Sequence, residues 1–152
     1  MLITRLCKIF NENSLKYAIA GGFAVALHGA VRGTIDVDIV LDLNEKNLTL
    51  CESILKSMGF VSKIPIDPAI LLKNREMLMQ EKNLIAWSFY NPKDPSEVID
   101  ILIHKDLADI DSTVMRYADI ELSVIAKHDL IAMKKESGRP QDLEDVKALE
   151  SI

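Results

Sequence analysis

The sequence is short of the residues that mark several common classes of protein. It has two cysteines, Cys7 and Cys51, both in apolar helical contexts and without CxxC spacing. That excludes a disulfide scaffold and a thiolate zinc module, and predicts reduced core thiols in a cytoplasmic protein. No apolar run is long enough to cross a bilayer. The longest, Ala18 to Leu27, is about half a span and contains Gly21 and Gly22. The opening Met1-Leu2-Ile3-Thr4-Arg5 has no signal-peptide architecture. Basic excess is also missing: 18 Lys and Arg stand against 23 Asp and Glu, a net charge of −5. An extended nucleic-acid coat is therefore not expected. No fixed period marks a repeat array, and no linker or low-complexity tract divides the chain.

What remains is an ordinary globular composition, 49% hydrophobic and 27% charged over 152 residues. That length suffices for one domain, 1–152, burying about 70% of the surface its unfolded chain exposes. Leu2, Leu6, Ile9 and Phe10 recur at helical spacing. Tyr17 to Ala20 reads as a short strand ended by Gly21-Gly22, with a brief helix from Phe23 to His28. Thr34 to Leu41 alternates as a strand does. Asn44 caps a helix from Glu45 to Met58 that Gly59 stops. Phe60 to Ile64 is a candidate strand, and Asp67-Pro68 opens a short helix to about Asn74. Leu84 to Tyr90 and Val98 to His104 are strands joined through the turn residues 91–96, which predicts an antiparallel hairpin. Residues 106–119 fit no single element. A strand at Leu122 to Ile125, a helix from Ala126 to Ser137 and an amphipathic helix through Leu143, Val146 and Leu149 follow. The expectation is an α/β (α+β) fold with a mixed, partly antiparallel sheet flanked by helices.

Chemistry concentrates in Thr34-Ile35-Asp36-Val37-Asp38-Ile39-Val40-Leu41. Side chains alternate across a strand, so Ile35, Val37, Ile39 and Leu41 are expected on the core, with Asp36 and Asp38 together on the other face. Carboxylates about 6.5–7 Å apart along a strand raise one another's pKa unless a cation lies between them. Magnesium suits such a pair, because it prefers oxygen ligands and keeps positions open for water and phosphate. A solvated strand face gives the same short pattern. Asp100 sharpens the choice, since it interrupts Val98-Ile99-Asp100-Ile101-Leu102-Ile103. An unpaired carboxylate buried in such a run costs several kcal/mol, so it is paired, metal-bound, at the lip of a site or on an edge strand. The Gly21-Gly22 pair between strand and helix is a tight turn that also lets backbone approach a phosphate.

Ala20-Gly21-Gly22, thirteen residues, then Asp36-Val37-Asp38-Ile39 resembles the signature of the polymerase-beta-type nucleotidyltransferase superfamily. Asp100 matches that family's later strand carboxylate. The stretches from Gly21 to Gly29, from Arg32 to Asp38, and Asp129-Leu130-Ile131-Ala132-Met133-Lys134 with Gly138-Arg139-Pro140-Gln141-Asp142-Leu143-Glu144-Asp145 are similar to its small bacterial AbiEii toxin-like branch. The resemblance implies that Asp36, Asp38 and Asp100 hold Mg²⁺ (or Mn²⁺), with Asp100 also assisting deprotonation of an acceptor hydroxyl. It implies that the Gly21 and Gly22 N–H groups hold a nucleoside triphosphate. Arg32, Thr34, Lys134 and Arg139 are further nucleotide-binding candidates. Phe23 follows Gly22 where many members carry Ser or Thr, which leaves backbone donors at that point.

The implied reaction moves a nucleoside monophosphate to an acceptor hydroxyl on a protein, an RNA or a small molecule, with tRNA and a partner protein among the candidates and a toxin–antitoxin setting. Plainer roles stand beside these. Lys134 and Arg139 can complement a helix C-terminus, and Asp142 and Asp145 can simply pair with Lys134, Arg139 or Lys147. His28 reads as a satisfied, half-buried histidine, and nothing marks out His104 or His128. The alternatives are a catalytically weak nucleotide-binding or toxin–antitoxin partner module, and a haloacid-dehalogenase-type phosphatase. The alternation that continues through Leu41 argues against the phosphatase, whose first aspartate pair ends its strand. A DxD-dependent glycosyltransferase needs a larger sugar-nucleotide domain.

Overall fold

A computed structural model describes residues 1–152. The stripe of Leu2, Leu6 and Phe10 forms α1 (Leu2–Glu12), which buries Ile3, Leu6, Cys7 and Phe10. Strand β1 (Tyr17–Ala20) is buried throughout and runs directly into α2 (Gly21–Leu27). After an irregular segment comes β2 (Val37–Leu41), then α3 (Glu45–Ser57), whose Asn44 cap accepts a hydrogen bond from the Asn47 N–H. Strand β3 (Val61–Ser62), α4 (Pro68–Lys73), α5 (Arg75–Lys82), β4 (Ala86–Asn91) and β5 (Asp94–Leu102) follow. A 3₁₀ turn at Leu107–Asp109, the hairpin of β6 (Ser112–Tyr117) and β7 (Ile120–Ile125), and helices α6 (Lys127–Ser137) and α7 (Pro140–Glu150) complete the order.

The strands make one mixed sheet in the order β3–β4–β5–β2–β1–β7–β6. β2 runs antiparallel to β1 and parallel to β5, and β4 runs antiparallel to β5. This is the helix-flanked, partly antiparallel sheet that the sequence pattern predicts. Its register lines up Ala20, Asp38, Asp100 and Ser88 side by side across four strands. The next row on that face is Ala18, Val40, Leu102 and Ala86. The two faces differ in how fully they are packed. One cluster of 28 buried residues includes Ile19, Ile39, Ile99, Phe89 and their helical partners Leu6, Phe10, Leu48 and Leu55. The carboxylate face carries a cluster of only five, Ala18, Ala20, Val40, Leu102 and Leu107, which leaves the Asp38–Asp100 row open.

Several expectations need correction. Ile35 is 69% exposed rather than in the core, and β2 begins at Val37. The reason lies in the neighbouring strand: β1 ends at Ala20, where Gly21 turns into α2, so nothing before Asp38 has a β1 partner. The loop between β4 and β5 is tighter than 91–96, with Asn91 already paired to Asp94. Residues 75–82 form a helix that sequence periodicity misses, because none of its residues is buried. The ambiguous stretch 106–119 resolves into the 3₁₀ turn and β6.

Candidate functional site

A cleft of about 790 Å³ opens on the carboxylate face of the sheet. The three carboxylates expected to act together line it: Asp36, Asp38 and Asp100. So do Gly21, Gly22, Arg32, Thr34, Lys134 and Arg139, although they come from four separate stretches of chain. The parallel pairing of β2 with β5 accounts for the nearest pair, because it sets Asp38 beside Asp100 in register. Asp36 precedes the strand, in the bend that leads into it.

Asp38 lies directly over Gly21. A Cβ at Gly21 would collide with the Asp38 carboxylate, and Gly21 has φ +62°, a conformation that favours glycine. Gly22 meets a different constraint. A Cβ there would lie 2.8 Å from the Thr34 Cβ, 2.9 Å from its hydroxyl and 3.3 Å from the Arg32 guanidinium carbon. The missing side chain of Gly22 therefore makes room for Thr34 and Arg32. A hydroxyl thus sits beside the second glycine after all, supplied by Thr34 from another segment.

The electrostatics follow from this crowding. Burial first, then the charges of Asp100 and Asp36, push the Asp38 carboxyl up to about 7, against the pull of Lys134 and Arg139. Asp36 is also raised, by burial and then by Asp100. Ser88, directly across β4 from Asp100, donates its hydroxyl to Asp100 Oδ1 at 2.5 Å. A set of hard oxygen donors that repel one another fits a hard divalent cation such as Mg²⁺ or Mn²⁺. Beyond the carboxylates the cleft turns apolar, with Ala86, Leu102, Leu130 and Met133. His104 stands at that end, its pKa lowered chiefly by burial.

The cationic side of the cleft is built from α6 and α7. Lys134, only 7% exposed, lies 3.3 Å from Asp142 Oδ1 and 2.9 Å from Asp145 Oδ2. Arg139 donates its backbone N–H and Nε to Asp142 Oδ2 and its Nη2 to Oδ1. Burial would raise the Asp142 carboxyl, but hydrogen bonds from Arg139 and Lys134 outweigh it and hold it below the usual range. Asp145 is likewise held low, its burial outweighed by hydrogen bonds from Lys134 and Gln141. The Lys134 ammonium is thus engaged by carboxylates, while Arg139 is exposed and Arg32 half-buried at the edge of the group. Lys147, the other partner considered for these aspartates, pairs with Glu144 instead.

Two histidines lie outside this arrangement. His28 is half-buried, with Nε2 2.8 Å from the Ile125 carbonyl oxygen. His128 Nε2 lies 3.1 Å from Asp111 and 3.2 Å from Asp129 at the surface, a grouping that could hold a metal and that sequence reading passed over. Ser88 was also missed. Its one signal is its place in the β4–β5 hairpin, opposite Asp100 once the turn is fixed at Pro92-Lys93.

Neither the family models nor the curated proteins give a match to the sequence. Solved structures do. The chain superposes on the lincosamide antibiotic adenylyltransferase LnuA, whose crystal structure has lincomycin bound, with a TM-score of 0.66 and 17% identity. The match covers 99% of this chain and 95% of that one. The chain has a nucleotidyltransferase fold. A second such structure is an antigenic nucleotidyltransferase-like protein from Paracoccidioides brasiliensis, with TM-score 0.60 and 18% identity over 97% of this chain and 73% of that one. A third is ANT(2")-Ia in complex with adenylyl-2"-tobramycin, with TM-score 0.63 and 14% identity over 97% and 85%. At these identities the likeness is one of fold, and the nucleotidyltransferase fold here presents its cleft at the Asp38–Asp100 row.

Proposed function

We propose that this protein is a Mg²⁺-dependent nucleotidyltransferase that transfers a nucleoside monophosphate from a nucleoside triphosphate to an acceptor hydroxyl. The observation that carries the reading is the row Asp38, Asp100 and Ser88, with Asp36 at its edge, in one cleft with Gly21 and Gly22. Asp36, Asp38 and Asp100 would hold Mg²⁺ (or Mn²⁺), which when bound neutralises triphosphate charge and withdraws electrons from phosphorus. The Gly21 and Gly22 N–H groups, the Thr34 hydroxyl and the guanidinium groups of Arg32 and Arg139 receive phosphate oxygens. Lys134 acts through its field, which pulls the Asp38 pKa down. Asp100, held at Oδ1 by Ser88, takes the acceptor's proton while the acceptor oxygen bonds to the α-phosphorus and pyrophosphate leaves. Residues 1–152 act as one nucleotidyltransferase-like domain on this reading.

The acceptor is a hydroxyl on a small molecule, an RNA or a protein. The antibiotic ligands of LnuA and ANT(2")-Ia favour the small molecule. The AbiEii-like branch and its toxin–antitoxin setting rest on the sequence motifs around Gly21, Asp36 and Lys134. Free, buried Cys7 and Cys51 accord with a reducing cytoplasmic compartment. The test is thermal unfolding with Mg²⁺ and each nucleoside triphosphate in turn, followed by pyrophosphate release with candidate acceptors. A ligand at about a hundred times its dissociation constant stabilises by roughly 2.7 kcal/mol, a shift of about 5–10 °C at this chain length. Wild type should show a Mg²⁺-dependent shift, and Asp36→Asn should lose it. Asp38→Asn should fold and abolish transfer. A nucleotide shift that survives Asp36→Asn and Asp38→Asn would overturn the assignment.

A further inference from the structure

Buried charge is confined to three residues, Lys134, Asp142 and Asp145. They do not interact with the Asp38 row by hydrogen bonds, and an apolar replacement of a buried ion group is often at least as stable. Their presence therefore calls for something besides stability. For Asp142 the local structure supplies it: its contacts with Arg139 form a capping box at the start of α7. Asp145 has no such local task. Its Oδ1 accepts from Gln141 Nε2 at 2.9 Å and from Arg32 Nε at 3.0 Å, and Oδ2 faces the Lys134 ammonium. Arg32 belongs to the irregular segment before β2, far from α7 in sequence. Its guanidinium lies against Gly22, Nη1 donates to the Gly33 carbonyl, and Nη2 has no protein partner.

We propose that Asp145 is a positioning residue for the phosphate end of the cleft, fixing the Arg32 guanidinium against Gly22 so that its free Nη2 is aimed at a polyphosphate oxygen. Two bonds, one to Asp145 and one to Gly33, set the plane of the guanidinium. Lys134 and Gln141 hold the Asp145 carboxylate, so it cannot follow Arg32 if the arginine swings. Three cations (Lys134, Arg32, Arg139) face two buried carboxylates. The unneutralised charge emerges at the arginine ends, beside Gly22 and Asp38. The inference rests on the triphosphate reading of the cleft and adds which residue orients the cation that meets it.

The test is a double-mutant cycle on binding of Mg²⁺-tripolyphosphate, a probe that carries no base, with the four nucleoside triphosphates in parallel. Arg32→Gln and Asp145→Asn should each weaken binding about tenfold, the size of one charge-assisted hydrogen bond. The double variant should bind no more weakly than either single one, because Asp145 acts through Arg32. A merely structural Asp145 would lower the melting temperature but give additive losses or none. If wild type binds and Arg32→Gln weakens it while Asp145→Asn does not, the positioning role fails and the triphosphate reading stands. If wild type binds neither tripolyphosphate nor any nucleoside triphosphate, both fall. Should Asp145→Asn not fold, the Arg32 Nε–H resonance of wild type decides. A slowly exchanging proton that shifts on adding Mg²⁺-tripolyphosphate supports the proposal, and a freely exchanging one overturns it.

Discussion

Two adjacent glycines carry different constraints, and substitution separates them. Gly21 has positive φ and the Asp38 carboxylate directly above it. Gly21→Ala must both adopt a disfavoured backbone conformation and displace Asp38, which should cost about 2 kcal/mol or more and remove nucleotide binding. Gly33→Ala is the control, since a Cβ there meets nothing within 4 Å. It should melt within a degree or two of wild type. Gly22 is limited by a neighbour rather than by its own backbone. Gly22→Ser should crowd Thr34, whose Cβ lies 2.8 Å from the new Cβ. Pairing it with Thr34→Gly, which removes that Cβ, should recover part of the lost stability and return a hydroxyl to the cleft. Melting curves of the two single variants and the double one check this. No recovery in the double variant would mean that the crowding involves Arg32 instead.

At the scale of elements, the hairpin of β4 and β5 holds the third carboxylate. Ser88→Ala leaves Asp100 Oδ1 without its 2.5 Å donor. It should weaken Mg²⁺-dependent triphosphate binding about tenfold, as loss of a partner behind a metal ligand commonly does. Isothermal titration with Mg²⁺ and the preferred nucleotide would measure it, and unchanged affinity would show that Asp100 needs no support. The sequence spoke clearly about elements whose pattern is local. The caps at Asn44 and Asp67, the alternation through Val37 to Leu41 and the break at Gly21-Gly22 all correspond to built features. It was silent where the cause is distant. Ile35 alternates correctly yet lies exposed, because strand pairing is set by where β1 stops. Helix α5 buries no residue and so leaves no apolar stripe to read. That Asp145 would take Arg32 as its partner, rather than Lys147, depends on how α7 packs beside a segment more than a hundred positions earlier.

Across the whole molecule, the raised carboxyl of Asp38 becomes a dependence of stability on pH. Its ordinary value is 3.8 and its folded value about 7. Between these the folded state holds a proton that the unfolded chain has released, so raising pH works against folding. Metal-free protein should therefore lose stability as pH climbs from about 4 to about 7, by at most about 4 kcal/mol, or on the order of 10 °C. Asp142 and Asp145 act in the opposite sense. Their folded values are depressed, so their contribution is present above the ordinary carboxylate range and fades as pH falls through it. Melting in chelator from pH 4 to 8 should show the decline towards neutrality, Asp38→Asn should remove most of it and leave the smaller part due to Asp36, whose carboxyl is also raised, and Mg²⁺ should reverse it for wild type. A decline that persists unchanged in Asp38→Asn would assign it to other groups.

The parallel pairing of β2 with β5 also bears on kinetics. Three helices and two strands intervene between those partners, and contacts that close so long a stretch of chain are slow to form. Until they exist Asp38 and Asp100 are strangers, and the Arg32–Asp145 tie spans still more chain. A nucleotide bound as proposed would therefore not guide the chain to its fold. It would only hold the finished one, by lengthening the time before the protein opens while leaving the refolding rate where it was.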